Sequence, residues 1–544
     1  MIKIKINNRI QEVKKGTTPL DLLKPEDKKK YFLCNVNNRL RELTYPLESD
    51  ATIEYLKLDH SEAGKAYEAS LRYVIAMAFH NLYPEVHIRF SYNVSRSIFC
   101  QILTPGVVFD NAMFQNISQE IERLINLDLK IERYLTAIPD AIELYKKFNF
   151  LDKIDILKYR PEQKVHLYSC GDYINYMHSY MVPSTGYLHN YKLRLYNPGM
   201  IIQYPRYELG GEIPPFEDAP TYGKTLKRAY EWANRIEAQT IYQINQKIEN
   251  NEIIDFVQVC EAKHSNMLAE IGMKIKEDIE NIRLIAIAGP SSSGKTTFSN
   301  RLRIELMSLG IKPVMISIDD YYLNREDILP DENGDVDLEH INTLDLDLFN
   351  QHMLALINGE EVEMPHFDFK IGRRVPGKKV RVHKDSPIII EGIHALNEAL
   401  TSLIPKHQKF KIFISPQIQI NIDNYTPMSI TDLRLIRRIV RDKHFRNTPA
   451  RNTIAMWPSV RRGEFRWIYP HQEGADYVFN SELTYELCVL KKYALETLKE
   501  IKTDDEYYIT ANRLIKFLKY FKTLDDDIIP NNSILREFIG GSIF

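Results

Sequence analysis

Cysteine is scarce and scattered: there are five in 544 residues (Cys34, Cys100, Cys170, Cys260 and Cys488), and no two stand at Cys-x-x-Cys spacing. That excludes a disulfide framework and a zinc knuckle, and it leads us to expect reduced thiols in a cytosolic protein. An excess of one charge is also missing. Lysine plus arginine total 71 against 73 aspartate plus glutamate, so no global field draws the chain to nucleic acid or an acidic membrane, and any polyanion site must be local. No apolar run is long enough to span a bilayer. The opening residues Met1-Ile-Lys-Ile-Lys-Ile6 alternate like a strand and lack the apolar centre of a signal peptide. A soluble, cytoplasmic protein without membrane contact is expected. Its length predicts several domains rather than one core.

What the chain does have is a specific phosphate-binding pattern. Gly289-Pro-Ser-Ser-Ser-Gly294-Lys295-Thr296 follows directly on the apolar stretch Arg283-Leu-Ile-Ala-Ile-Ala288, and Phe298, Leu302 and Leu306 then recur at helical spacing. A glycine-rich turn between a buried strand and a helix aims successive backbone N–H groups inward, at the positive end of the helix. Gly289, Pro290, Ser291, Ser292, Ser293, Gly294, Lys295, Thr296 and Thr297 are therefore the expected triphosphate-binding residues. Lys295 should reach the β and γ phosphates, and the Thr296 hydroxyl should sit on Mg²⁺.

Around this motif the sequence divides into five stretches. Residues 1–60 read as a β-rich module with a strand at Ile2 to Ile6, a turn at Lys15-Gly16, a short helix near Thr18 to Leu23, and strands around residues 32–37 and 52–56. This pattern resembles a TGS domain. Residues 61–215 resemble the second N-terminal domain of threonyl-tRNA synthetases through Asn81-Leu-Tyr-Pro84, Val182-Pro-Ser-Thr-Gly186 and Tyr191-Lys-Leu193. Where that family places a His-x3-His and a Cys-x3-His pair for editing chemistry, this chain has Ala69 and Tyr73, then Met177 and Met181. The resemblance therefore implies a domain that binds, positions or regulates without editing. His80, Cys170 and His178 stand at no ligand spacing and read as core or satisfied polar residues.

Residues 216–280 shift to a period near 3.6, with Leu226, Tyr230, Ala233 and Ile236 on one face, and read as a helical connector. Residues 281–482 alternate short β-branched runs with helical patterns, the mark of an α/β fold with a mainly parallel sheet. Its ligand crevice should lie at the carboxyl ends of the strands, where Asp319 and Glu391 fall. Residues 483–544 read as two amphipathic helices and an apolar tail. The tail docks either on the body or on a partner subunit of an oligomer.

Residues 283 to about 480 resemble the uridine kinase and phosphoribulokinase family of P-loop kinases. The resemblance is carried by the P-loop and by Ile318-Asp-Asp-Tyr-Tyr322, Asp335-Val-Asp337, Pro365-His-Phe-Asp-Phe369, Ile390-Glu-Gly-Ile393 and Arg437-Arg-Ile-Val-Arg-Asp442, in family order. It implies Asp319 as the base for an acceptor hydroxyl, with Asp320 the alternative, and Lys295 and Arg441 as its catalytic companions. It also implies Thr296 and Glu391 at Mg²⁺, and Tyr322, Asp337, Phe367, Arg438 and Arg441 around the acceptor. Arg434 and Arg437 read as solvent charges. Arg446, Arg461 and Arg462 form either a mobile lid or surface ion pairs.

Two departures bear on the acceptor: Phe367 replaces a tyrosine of the family pattern, and Gly372 stands where a histidine is expected. Loss of two polar side chains should change base selectivity. The expected function is an ATP- or GTP-dependent kinase acting on a small-molecule hydroxyl, foremost the 5′-hydroxyl of a nucleoside. One alternative is a regulatory P-loop NTPase contacting RNA through its N-terminal module. Another is a sugar or sugar-phosphate kinase, in which Arg373, Arg374, Lys378 and Lys379 form either a phosphate pocket or an exposed basic loop.

Overall fold

The computed structural model describes residues 1–7, 9–328, 339–368, 371–383 and 385–544. At the N-terminus β1 (Ile2–Ile6), β2 (Arg9–Val13), β3 (Leu33–Val36), β4 (Arg39–Arg41) and β5 (Ala51–Leu56) form one sheet in the order β2-β1-β5-β3-β4, with β1 and β5 parallel. Ile2 and Ile4 point into the core while Lys3 and Lys5 face water, the alternation seen in the sequence. The helix expected near Thr18 to Leu23 is instead a run of turns. Asp21 accepts from the amide and hydroxyl of Thr18, closing the segment on itself, and Pro25 holds Lys24 extended.

α1 (Ser61–Leu82) is buried nearly all round, with Glu62, Ser70 and Arg72 among its buried residues. About it lie β6 (Ile88–Val94), β7 (Ser97–Ile102), α2 (Asn111–Asn126), β8 (Glu132–Ala137), α3 (Ile138–Lys147), α4 (Leu151–Leu157), β9 (Lys164–Cys170), β10 (Tyr173–Asn175), β11 (Lys192–Tyr196) and β12 (Gly199–Gln203). They build two antiparallel sheets, β11-β12-β7-β6 and β10-β9-β8.

α5 (Pro220–Arg235), α6 (Ile241–Glu249) and α7 (Ile253–Glu277) follow as helices. Ile241, Ile244, Leu268, Ile271 and Ile275 share one hydrophobic core with the sheet that comes next. That sheet is built from β13 (Leu284–Ala288), which leads into α8 (Lys295–Ser308), and from β14 (Val314–Ser317). After α9 (Leu346–Ile357) and a hairpin of β15 (Glu361–Asp368) and β16 (Arg373–Arg381), it gains β17 (Ile388–Glu391) and β18 (Lys409–Ser415). A small excursion, β19 (Asn421–Asp423) and β20 (Thr426–Pro427), precedes α10 (Ile430–Arg446), α11 (Ala450–Gly463) and the last strand β21 (Tyr477–Asn480). The order is β14-β17-β13-β18-β21 and every pairing is parallel. β13 lies at the centre and all five of its residues are buried.

α12 (Glu486–Leu498), α13 (Tyr508–Leu518) and the short α14 (Arg536–Ile539) close the chain. The N-terminal part is pinned to the β19–β20 excursion by a buried Lys153–Asp423 ion pair at 2.9 Å, by the Asn421 amide donating to Phe90 O at 2.8 Å, and by Arg72 donating to Tyr425 O. Among the described residues, no helix is long and apolar enough to cross a membrane. All five cysteines are buried free thiols.

Candidate active site at the carboxyl edge of the parallel sheet

The turn after β13 is shaped by glycine. Gly294, at φ +91°, caps α8 in a left-handed conformation, and a Cβ on Gly289 would stand 2.0 Å from the carbonyl oxygen of Ile414. The hydroxyls of Ser292 and Ser293 are buried without a hydrogen-bond partner among the described residues. Such orphaned donors suit an incoming phosphate, since leaving them unmatched costs stability. Lys295 is folded back on the loop, its ammonium donating to Gly289 O at 3.0 Å and Pro290 O at 3.4 Å. Thr296 is exposed at the first turn of α8.

The parallel register puts the carboxylates on the same edge. Glu391 ends β17, beside Ile287 on one side and Ser317 on the other, and Asp319 lies two residues past the end of β14. Removal from water pushes Glu391 up to about 7, opposed by Lys295 and reinforced by Asp319 and Glu537. Burial likewise raises Asp319, with Lys295 pulling it back down. Lys295 itself is lowered by burial while Glu391, Glu537 and Asp319 raise it. Asp320 faces elsewhere: its carboxylate accepts from the Phe367 amide at 3.2 Å and meets His366 Nδ1 at 3.0 Å. A hydroxyl and a carboxylate, Thr296 and Glu391, are the hard oxygen donors that Mg²⁺ selects.

Of the residues expected around an acceptor, Tyr322 and Phe367 stand edge to face with centroids 5.7 Å apart. Asp337 falls outside the described residues. Arg438 donates to Ser291 Oγ at 3.0 Å, so it grips the P-loop, and Arg441 forks onto Asp442 at 3.0 and 3.2 Å. Arg446 is turned the same way and acts electrostatically on Asp319.

The structure corrects two expectations. Arg434 and Arg437 are not solvent charges, because both are wholly buried. Arg434 donates to Ser291 O at 2.9 Å and pairs with Glu464; Arg437 donates to Ser292 O at 3.3 Å and forks onto Glu486 at 2.6 and 2.9 Å. They fasten the P-loop backbone from beneath. Arg461 is not a lid either: it is buried against Glu464 and the Tyr469 hydroxyl, while Arg462 is exposed. Of the basic residues around Gly372, Arg373 pairs with Glu326 at 2.8 Å, Arg374 with Asp345 at 2.9 Å and Lys379 with Glu361 at 3.7 Å.

The residue that sequence reasoning missed altogether is Glu537. The tail docks on the body, and on this site: the Glu537 carboxylate accepts from the Thr297 amide at 2.9 Å, Ile534 packs directly on Gly294, and Phe538 lies 5.0 Å beneath the Arg437 guanidinium. A negative group of the protein's own thus rests at the helix terminus built for phosphate. An apolar tail signalled docking, but no local pattern named its target.

In the N-terminal part, Ala69, Tyr73, Met177 and Met181 are all buried, and the Tyr73 hydroxyl donates to Tyr168 O and Tyr173 O at 3.1 and 3.0 Å. Among the described residues, no group of three or more His, Cys, Asp or Glu is arranged to hold a metal ion.

Residues 284–487 match the profile of the Phosphoribulokinase / Uridine kinase family. This region belongs to that family. The kinase region is similar to the uridine kinase of Brevibacillus brevis, at 28% identity over 196 residues, 36% of this chain and 83% of that protein. In its N-terminal part the chain is similar to the threonine–tRNA ligase of Desulforamulus reducens, at 28% identity over 198 residues; the match spans 36% of this chain and only 31% of that ligase. Among solved structures, a D-glycerate 3-kinase from Cryptococcus neoformans aligns at 14% identity and a TM-score of 0.23, covering 48% of this chain and 89% of that one.

Proposed function

We propose that the protein is a kinase that moves the γ phosphate of ATP, with Mg²⁺, to a hydroxyl of a small molecule, and that the acceptor is the 5′-hydroxyl of a nucleoside. The observation that carries this reading is the convergence of Lys295, Asp319 and Glu391 on one edge of the sheet beside a loop whose Ser292 and Ser293 hydroxyls lack partners among the described residues. Bound Mg²⁺ neutralises phosphate charge, the main demand of this chemistry. Thr296 and Glu391 would hold it. Lys295, released from Gly289 O and Pro290 O, swings to the phosphates, and the amides of α8 turn from Glu537 to the same group.

Asp319 orients the acceptor hydroxyl and takes its proton as the new O–P bond forms and the bond to the β-phosphate oxygen breaks; ADP leaves, and the proton passes on to solvent. Burial helps here, since a carboxylate raised above its ordinary range is the stronger base. Tyr322 and Phe367 offer the acceptor an aromatic wall, with one hydroxyl between them.

Incubating the protein with ATP, Mg²⁺ and a panel of nucleosides and sugars, with products read by mass spectrometry, tests the reading. A stoichiometric nucleoside monophosphate supports it. ATP hydrolysis indifferent to every acceptor, or a phosphorylated sugar alone, replaces it.

A further inference from the structure

A cavity of about 840 Å³ opens between the N-terminal sheets and the C-terminal helices, on the far side of α10 from the P-loop. Its volume falls within the range of sites that enclose a small molecule. The charges on its wall do not balance locally. The carboxylates there are already engaged: Glu62 with Lys65 and Arg513, Glu68 with Arg72, Glu162 with Arg160 and Lys519, and Asp432 with Arg513.

Four cations remain: Arg39 and Arg41 of β4, Arg133 of β8 and Lys516 of α13; Arg39 is exposed, and the other three gather at the wall of the cavity. Among the described residues none of them has a carboxylate within 4 Å. Glu42, an acid that feels the charge of Arg133, is occupied by the Tyr168 hydroxyl at 2.5 Å and the Met181 amide at 3.0 Å.

The three crowd one another. Lys516 is pushed down by burial and by Arg41, Arg133 and Lys519, and His166 falls to about 4 through burial and the charges of Arg133, Arg160 and Lys516. Arg133 Nε is buried with no partner among the described residues. Between the guanidiniums stands Tyr180, its ring 5.1 Å from Arg133 and its hydroxyl 3.4 Å from Arg41. Glu42 acts on Arg133 and Glu162 on Lys516, but both carboxylates are already engaged by other groups. Like charges held together in this way cost free energy that a polyanion would return, and guanidinium forks are matched to phosphate oxygens.

We propose that this cavity is a second ligand site, separate from the P-loop, which binds a multiply phosphorylated small molecule through Arg41, Arg133 and Lys516, with Tyr180 as its planar surface. One wall of the site comes from α13, so it exists only where the N-terminal part and the C-terminal helices are joined. Ligand there would cross-link the two.

Binding to the full-length Lys295→Ala chain, in which the P-loop is weakened, isolates the site. The probes are pyrophosphate, the four common ribonucleoside diphosphates and a short single-stranded RNA, followed by calorimetry. One small-molecule probe should bind at one per chain, and its affinity should fall on the order of tenfold or more when Arg133→Ala or Lys516→Gln is added. Comparison of pyrophosphate with the diphosphates separates phosphate recognition from recognition of a base. The proposal fails if no small-molecule probe binds the Lys295→Ala chain, if binding ignores Arg133→Ala and Lys516→Gln in chains that melt like the parent, or if RNA alone binds in an Arg133-dependent manner.

Discussion

Asp319 and Asp320 are neighbours in sequence with different surroundings. Asp319 shares its field with Lys295, whereas Asp320 is spent on the Phe367 amide. Asp319→Asn should therefore keep ATP binding and lose transfer by a factor on the order of 10² or more, measured by single-turnover product formation. Its raised pKa also has a consequence with a definite sign. The base form is lost as pH falls through a value above the ordinary aspartate range, so the acid limb of the kcat/KM profile should sit above pH 4. A limb at or below the free-aspartate value would remove Asp319 from the base role.

Arg437 invites a second substitution. Arg437→Ala leaves Glu486 buried and unpaired, which should lower stability by about 3–5 kcal/mol, whereas replacing both partners with Met and Leu should restore most of it. Denaturant midpoints of the two variants decide the point; equal loss in both would show that the contact with Ser292 O matters more than the charge.

α14 has four residues, yet it brings Glu537 to the amide of Thr297 in another element 240 positions away. Under the proposed function, the triphosphate and this carboxylate compete for one helix terminus and repel each other. Glu537→Gln should accordingly tighten ATP binding by about fivefold, with a smaller gain at high salt. Calorimetric titration at two ionic strengths checks this, and unchanged affinity would show that the tail yields its place without cost. The helices and strands themselves were largely legible. β1, β14, β17, β18 and β21 fall within the predicted runs because a buried strand needs a continuous or alternating apolar pattern, whatever its neighbours are. The Thr18 to Leu23 segment was not legible in this way, because a Thr–Asp pair serves a turn as well as a helix cap.

Across the molecule, the N-terminal part contributes buried ionisable groups that depend on the assembled fold. His178 is pushed down to about 3 by burial, with Lys153, Arg160 and Arg72 adding to the effect and Asp423 opposing it. A histidine whose folded value lies below its unfolded value near 6.5 binds its proton more readily when unfolded, so its contribution is lost as pH falls from about 6.5 towards 3. Melting temperature should drop over that window, and His178→Gln should flatten the decline. An unaltered slope would place the acid sensitivity elsewhere.

The chain on its own specified its local chemistry: a phosphate loop with its lysine, two carboxylates at strand ends, and N-terminal modules with the editing side chains absent. These were readable because each depends on residues a few positions apart, whose geometry the backbone dictates. It did not specify that Arg434 and Arg437 would be buried under the P-loop, that Arg461 would be locked to Glu464, that the tail would set Glu537 against α8, or that α13 would complete a basic cavity with β4 and β8. Apart from the Arg461–Glu464 pair, whose members are three residues apart and whose burial comes from packing against Arg434, those outcomes depend on partners 30 to several hundred residues apart. Only close packing selects among such pairings, because the same arginine or glutamate satisfies its hydrogen bonds equally well in water until the interior excludes it.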